Sequence, residues 1–135
     1  MIHFVGAGSG AVDLITIRGA ELLKEADVII YAGSLVNPDL LNYAKDSCEI
    51  YDSAKMTLDE VLEKMFEAEK ENKMTVRLHT GDSSIYGAIR EQMDRLDEEG
   101  VSYDVCPGVS SFCGAAAALK AEYTLPDVSQ SVITT

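Results

Sequence analysis

Ile2-His3-Phe4-Val5-Gly6-Ala7-Gly8-Ser9-Gly10-Ala11 carries an apolar strand straight into closely spaced glycines. A strand that breaks this way brings its backbone close to something. Gly6, Gly8 and Ala11 also fit the three small positions of G-x-G-x-x-G/A, so one reading is a dinucleotide cradle and the other a tight strand-to-loop turn. A dinucleotide site wants an acid about 20 positions on, ending the second strand. That strand ends in Tyr31-Ala32-Gly33, and Asp27 stands at its beginning instead. The first helix also starts late, near Thr16. Both features argue against NAD.

Working outward, strand and helix signals alternate. Ile2 to Val5, Val28 to Tyr31, Glu49 to Tyr51, Thr75 to His79 and Tyr103 to Cys106 read as strands. Thr16 caps a helix through Leu22, Leu23 and Ala26, and Asn37-Pro38 opens a short one through Leu40 and Leu41. Thr57-Leu58-Asp59-Glu60 is a capping box whose helix turns Leu58, Val61, Leu62, Met65 and Phe66 inward. Ser83 or Ser84 is expected to cap a helix with Ile85, Ile89, Met93 and Leu96 inward, stopped by Gly100. Ser110 or Ser111 caps an alanine-rich helix, Phe112 to Ala121, and Val132-Ile133 is a final apolar run. The alternation predicts an α/β fold, a mostly parallel sheet flanked by helices. Ligands of such sheets sit beyond the carboxyl ends of the strands. Four loops fall there: Gly6 to Ala11, Tyr31 to Val36, Thr80 to Gly87 and Pro107 to Ser111.

The chain has 135 residues, 47% apolar and 25% charged, about one domain's worth. No stretch is long enough to span a membrane, and the N-terminus lacks the pattern of a secretory signal. Cys48, Cys106 and Cys113 are widely spaced, which predicts core thiols in a reducing cytoplasm. The histidines, His3 and His79, have no second ligand at a metal-binding spacing, so no protein-bound metal is expected. Net charge is −12 with no basic stripe, which speaks against nucleic acid. The acids concentrate in Asp59 to Glu71 and Glu91 to Glu99, read as two solvated helix faces. An anionic ligand would need local donors: backbone amides, or Arg18, Arg77 and Arg90. The strand-like ending Ser129 to Thr135 suggests a piece of a longer protein, one that folds but binds its ligand weakly.

Beyond the glycine turn, two loops offer site chemistry. In Thr80-Gly81-Asp82-Ser83-Ser84-Ile85-Tyr86-Gly87, Gly81 admits close backbone approach, Asp82 can accept from a hydroxyl or ammonium, and the serines can point donors at an anion; plain helix capping explains the same residues. Cys106-Pro107-Gly108-Val109-Ser110-Ser111 bears two hydroxyls but is not a nucleophile elbow. His79, at a strand end, can serve as a base or as a structural hydrogen-bonding residue, and Tyr31, Tyr86 and Tyr123 read as core or rim aromatics.

GAGSGAVDLITIRGAELLKEADVIIYAGSLV, VRLHTGDSSIYGAI and YDVCPGVSSFCGAAAAL, in that order over the whole chain, resemble the tetrapyrrole methyltransferases of cobalamin and sirohaem synthesis. YAGSLVNP and EYTLPDVSQSVITT are most similar to the branch that methylates C11 of precorrin-4 or cobalt-precorrin-4. The resemblance implies that residues 1–135 are the N-terminal tetrapyrrole methylase domain of a two-domain enzyme, with the C-terminal domain absent from this chain. It implies S-adenosylmethionine as cofactor (S-adenosylhomocysteine as product), a small-molecule tetrapyrrole as substrate, and a homodimer at full length. Thr80, Gly81, Asp82, Ser110 and Ser111 would line the cofactor site, and Gly6, Gly8, Ser9 and Gly10 the substrate-side loop. Ser9, Ala11 and Ser83 depart from the family's usual proline, aspartate and proline, and no catalytic residue is carried over. Two further readings stay open: methylation of another tetrapyrrole position (C20, C17, or uroporphyrinogen), and a non-catalytic nucleotide-binding Rossmann-like module.

Overall fold

The computed structural model describes all residues, Met1 to Thr135. Five strands, β1 (Ile2–Gly6), β2 (Val28–Tyr31), β3 (Glu49–Asp52), β4 (Thr75–His79) and β5 (Tyr103–Cys106), form one sheet in the order β3-β2-β4-β1-β5. Every pairing is parallel. Four α-helices accompany it: α1 (Ile17–Glu25), α2 (Leu58–Lys70), α3 (Arg90–Glu98) and α4 (Ser111–Leu119).

The central strands read as unbroken apolar runs because both faces are covered. Val5, Ile29, Val76 and Leu78 face α1 and the 3₁₀ turn Pro38–Tyr43. Ile2, Phe4, Val28 and Ile30 face α2 and α3. Local signals set the helix starts. The Thr16 hydroxyl accepts from the Gly19 amide at 3.0 Å, the Asn37 side chain from Asp39, and Thr57 and Glu60 complete their capping box. In α2 the buried residues are Val61, Leu62, Met65 and Ala68, with Leu58 and Phe66 only partly covered.

Four expectations are corrected. No helix begins at Ser83 or Ser84: α3 starts at Arg90, and Ile85 is exposed. The Ser84 amide and hydroxyl instead bond to Asp82, closing a local turn, and Tyr86 and Ala88 take left-handed φ values of 55° and 51° that no helix allows. The alanine helix ends at Leu119, where Lys120 turns left-handed. Val132 and Ile133 are exposed and lie outside any strand. Of the three thiols only Cys106 is buried; Cys113 is exposed.

Candidate functional site

All five strands run the same way, so the four loops that follow β1, β2, β4 and β5 share one edge, and glycines let three of them touch. The Ala7 amide donates to the His79 carbonyl at 2.6 Å, and Gly8 and Gly81 exchange two backbone hydrogen bonds of 3.2 and 2.9 Å. A Cβ on Gly6 would stand 2.6 Å from the Gly81 carbonyl oxygen and 2.7 Å from Gly108 Cα; one on Gly108 would overlap that same oxygen. These glycines are therefore a backbone junction between loops. The amides of Ala7 and Gly8 are already spent on the neighbouring loop, and the chain next makes a 3₁₀ turn, Val12–Leu14, rather than a helix. That geometry is not a pyrophosphate cradle. Asp27 lies at the opposite edge, bonded to Lys45 and the Met74 amide.

The residues named for the cofactor gather at this junction. Gly81, buried and at φ 58°, has Ser110 Cα and Ser111 N within 3.4–3.5 Å of where its Cβ would be. Thr80 is half-buried, Ser110 buried and Ser111 exposed. Asp82 is engaged twice: Oδ1 accepts from the Ser84 amide (2.9 Å) and hydroxyl, and Oδ2 accepts from the Gly108 amide at 2.8 Å. Burial pushes its carboxyl upward, but the bonds from Ser84 and Gly108 outweigh that and hold it below the usual aspartate range. Asp82 thus works first as a clamp between two loops, with its unused lone pairs aimed by that clamp.

On the first loop, Gly10 has an open Cβ direction and its carbonyl accepts from the Asn37 side chain at 2.8 Å. Ser9 abuts Gly114 of α4, where a Cβ would come 2.6 Å from the Ser9 Cβ, and its hydroxyl is buried without a partner. Ser83 Oγ and His79 Nε2 are likewise buried and unpartnered. Burial, helped by the charge of Arg77, pushes His79 down to about 3, so its ring is neutral at physiological pH. It stacks on Phe4 at 6.5 Å between centroids.

The three arginines part company. Arg77 is not an edge donor: it is buried, its Nε donating to Gln92 Oε1 and its Nη1 to the Ile30 carbonyl, both at 3.1 Å. Burial lowers it to about 10. Arg90 pairs with Asp94 at 2.8 Å. Arg18 is exposed beside an open hollow of about 270 Å³ lined with Thr16, Cys106 and Pro107. The Arg77–Gln92 pair escaped sequence reading; an arginine inside the apolar strand Val76-Arg77-Leu78 was its only signal. No three His, Cys, Asp or Glu side chains converge.

The family model for tetrapyrrole (corrin/porphyrin) methylases matches residues 1–135. The cobalt-precorrin-4 C(11)-methyltransferase of Methanocaldococcus jannaschii is 57% identical over 134 residues, which are 99% of this chain and 52% of that protein. Among solved structures, a cobalt precorrin-4 methyltransferase of cobalamin biosynthesis is similar at a TM-score of 0.95 and 48% identity, over 98% of this chain and 55% of that one. A uroporphyrin-III C-methyltransferase from Thermus thermophilus, complexed with S-adenosylhomocysteine, is similar at a TM-score of 0.75 and 30% identity, over 85% and 51%. The chain spans about half the length of these relatives. With a family model matched from first residue to last and these likenesses beside it, the chain belongs to the tetrapyrrole (corrin/porphyrin) methylase family.

Proposed function

We propose that residues 1–135 form the N-terminal, cofactor-side domain of an S-adenosylmethionine-dependent methyltransferase that acts on C11 of precorrin-4 or cobalt-precorrin-4. The observation that carries this reading is the three-loop junction of Gly6, Gly81 and Gly108, in a fold this close to a cobalt precorrin-4 methyltransferase. The identity to C11-methyltransferases exceeds that to the uroporphyrin enzyme, which favours the C11 branch over the other tetrapyrrole positions.

The residues present fit the cofactor. Gly108 packs against the Gly81 carbonyl, and Gly81, at φ 58°, leaves a side-chain-free backbone edge where an added Cβ would make only ordinary contacts, 3.4 Å from Ser110 Cα and 3.5 Å from Ser111 N. Around it stand the hydroxyl-bearing Thr80, Ser110 and Ser111, with Asp82 as the one carboxylate of the set. When bound, S-adenosylmethionine supplies a methyl group on a positively charged sulfur, already activated for transfer. What remains for the chain is to bind and align, which can be worth roughly 7–11 kcal/mol of a barrier. Hydroxyls and backbone groups hold ribose and amino-acid atoms, and Asp82, kept ionised, offers directed acceptors. His79, kept neutral, adds no positive charge beside a cationic ligand. Cobalt, where present, belongs to the substrate. We read the full-length protein as a cytoplasmic homodimer with a small-molecule substrate.

Titration of the full-length protein with S-adenosylhomocysteine and NADH, followed by mass spectrometry of the product formed from candidate tetrapyrroles, tests the reading. Binding of S-adenosylhomocysteine and a single added methyl on a precorrin-4 are expected. NADH binding without a response to S-adenosylhomocysteine would overturn it.

A further inference from the structure

Between β4 and α3 the chain makes a loop pinned at both ends. At its start, Asp82 is held by Ser84 and by the Gly108 amide. At its end, the Ala88 carbonyl accepts from Gln92 Nε2 at 3.2 Å, and Gln92 is itself held by the buried Arg77. The tip between these anchors shows the solvent Ile85, 39% exposed, and Tyr86, 76% exposed. Tyr86 sits at φ 55°, a backbone state that L side chains rarely adopt. Gly87, next door, is glycine for a packing reason, since a Cβ there would overlap the Ser83 carbonyl. Position 86 has no such crowding to explain its residue: folding alone would favour glycine, yet a large aromatic stands there, strained and uncovered. Strain of this kind, held by hydrogen-bonded polar anchors on either side, marks a side chain kept for contact rather than for stability.

We propose that the Ile85–Tyr86 tip is a substrate-binding element, with the Tyr86 ring packing on the unsaturated face of the tetrapyrrole macrocycle. The proposal rests on the function proposed above and adds a substrate contact to it. The tip belongs to the same loop as Thr80, Gly81 and Asp82, so it borders whatever those residues hold. Its apolar, aromatic surface suits a conjugated ring far better than a phosphate or a carboxylate. The phenol hydroxyl has no hydrogen-bond partner in the fold and is not required for the contact.

The test uses the full chain and two probes, uroporphyrin followed by absorption and S-adenosylhomocysteine followed by calorimetry. Tyr86→Gly removes the ring and also relieves the left-handed strain, so its melting temperature should hold or rise. Its uroporphyrin affinity should fall about tenfold, the scale of losing one aromatic stacking partner, while its S-adenosylhomocysteine affinity stays near the original. Tyr86→Phe should retain uroporphyrin binding. Unchanged uroporphyrin affinity in Tyr86→Gly, or an equal loss of S-adenosylhomocysteine, would overturn the proposal. So would a parent protein that binds S-adenosylhomocysteine but not uroporphyrin; one that binds neither would take down the proposed function along with it.

Discussion

Asp82, on the loop after β4, and Gly108, on the loop after β5, are joined by one hydrogen bond of 2.8 Å from the glycine amide to the carboxylate. The bond crosses from one loop to another without a side chain on the donor side. It makes the candidate site a shared property of two strand ends.

Asp82→Asn should loosen both loops. An amide nitrogen in the Oδ2 position would face the Gly108 donor with another donor, and the expected cost is about 1–3 kcal/mol of stability at pH 7, read by urea denaturation. Because the folded carboxyl titrates below the ordinary 3.8 of an aspartate, the stabilisation is complete above that value and is lost as pH falls through the lowered folded pKa. The gap between parent and variant should therefore close in strong acid. A gap unchanged at pH 2 would show that charge plays no part.

Gly108→Ala and Gly100→Ala separate two reasons for glycine. At 108 the new methyl would collide with the Gly81 carbonyl and stand 2.8 Å from Gly6 Cα, all of it backbone. A loss of about 3 kcal/mol is expected, together with weaker S-adenosylhomocysteine binding. At 100 nothing lies within 4 Å and only the φ of 66° is at stake, so about 1 kcal/mol should go with ligand binding intact. Equal losses at the two positions would contradict the junction.

His79 should make the fold acid-sensitive. Burial, with Arg77 beside it, lowers the ring to about 3, so between pH 6.5 and about 3 the unfolded chain takes up a proton that the native state refuses. Stability should fall with decreasing pH across that window, by up to about 1.4 kcal/mol per pH unit. His79→Leu should remove that part of the slope in urea midpoints measured from pH 7 to 4.5. An identical slope in the variant would refute the assignment.

Arg77 and Gln92 should couple strongly. Gln92→Ala leaves a buried guanidinium Nε without its acceptor and is expected to cost about 2–3 kcal/mol. Arg77→Met combined with Gln92→Leu should recover much of that, because an apolar pair asks for no partners. A double-mutant cycle by thermal denaturation measures the coupling, and strict additivity would show that the pair is not one unit.

These residues also show where sequence legibility stops. Thr57 and Glu60 cap α2 as written because a capping box is settled within four residues. Ser83 and Ser84 carried the same kind of local signal and misled, because Asp82 competed for the Ser84 donors and Gly87 had to pass over the Ser83 carbonyl. The glycines at 6 and 81 announced close approach, but what approached them was each other and Gly108, a fact that resides in strand order. Arg77 looked like a free donor because nothing in Val76-Arg77-Leu78 names Gln92, fifteen residues on, as its partner.

The sheet order carries a cost in time. β1 is made first, yet both of its neighbours, β4 and β5, come later, beginning at Thr75 and Tyr103. β2 and β3 can pair soon after synthesis, while Ile2 to Gly6 stays apolar and unpaired until β4 emerges. At ordinary translation speeds that wait is roughly 4 to 15 seconds. The strand that positions the glycine junction is thus the segment of the nascent chain with the longest need of shelter by the ribosome or a chaperone. Rare codons placed between Glu49 and Thr75 would lengthen that need, and a faster-translated message would shorten it.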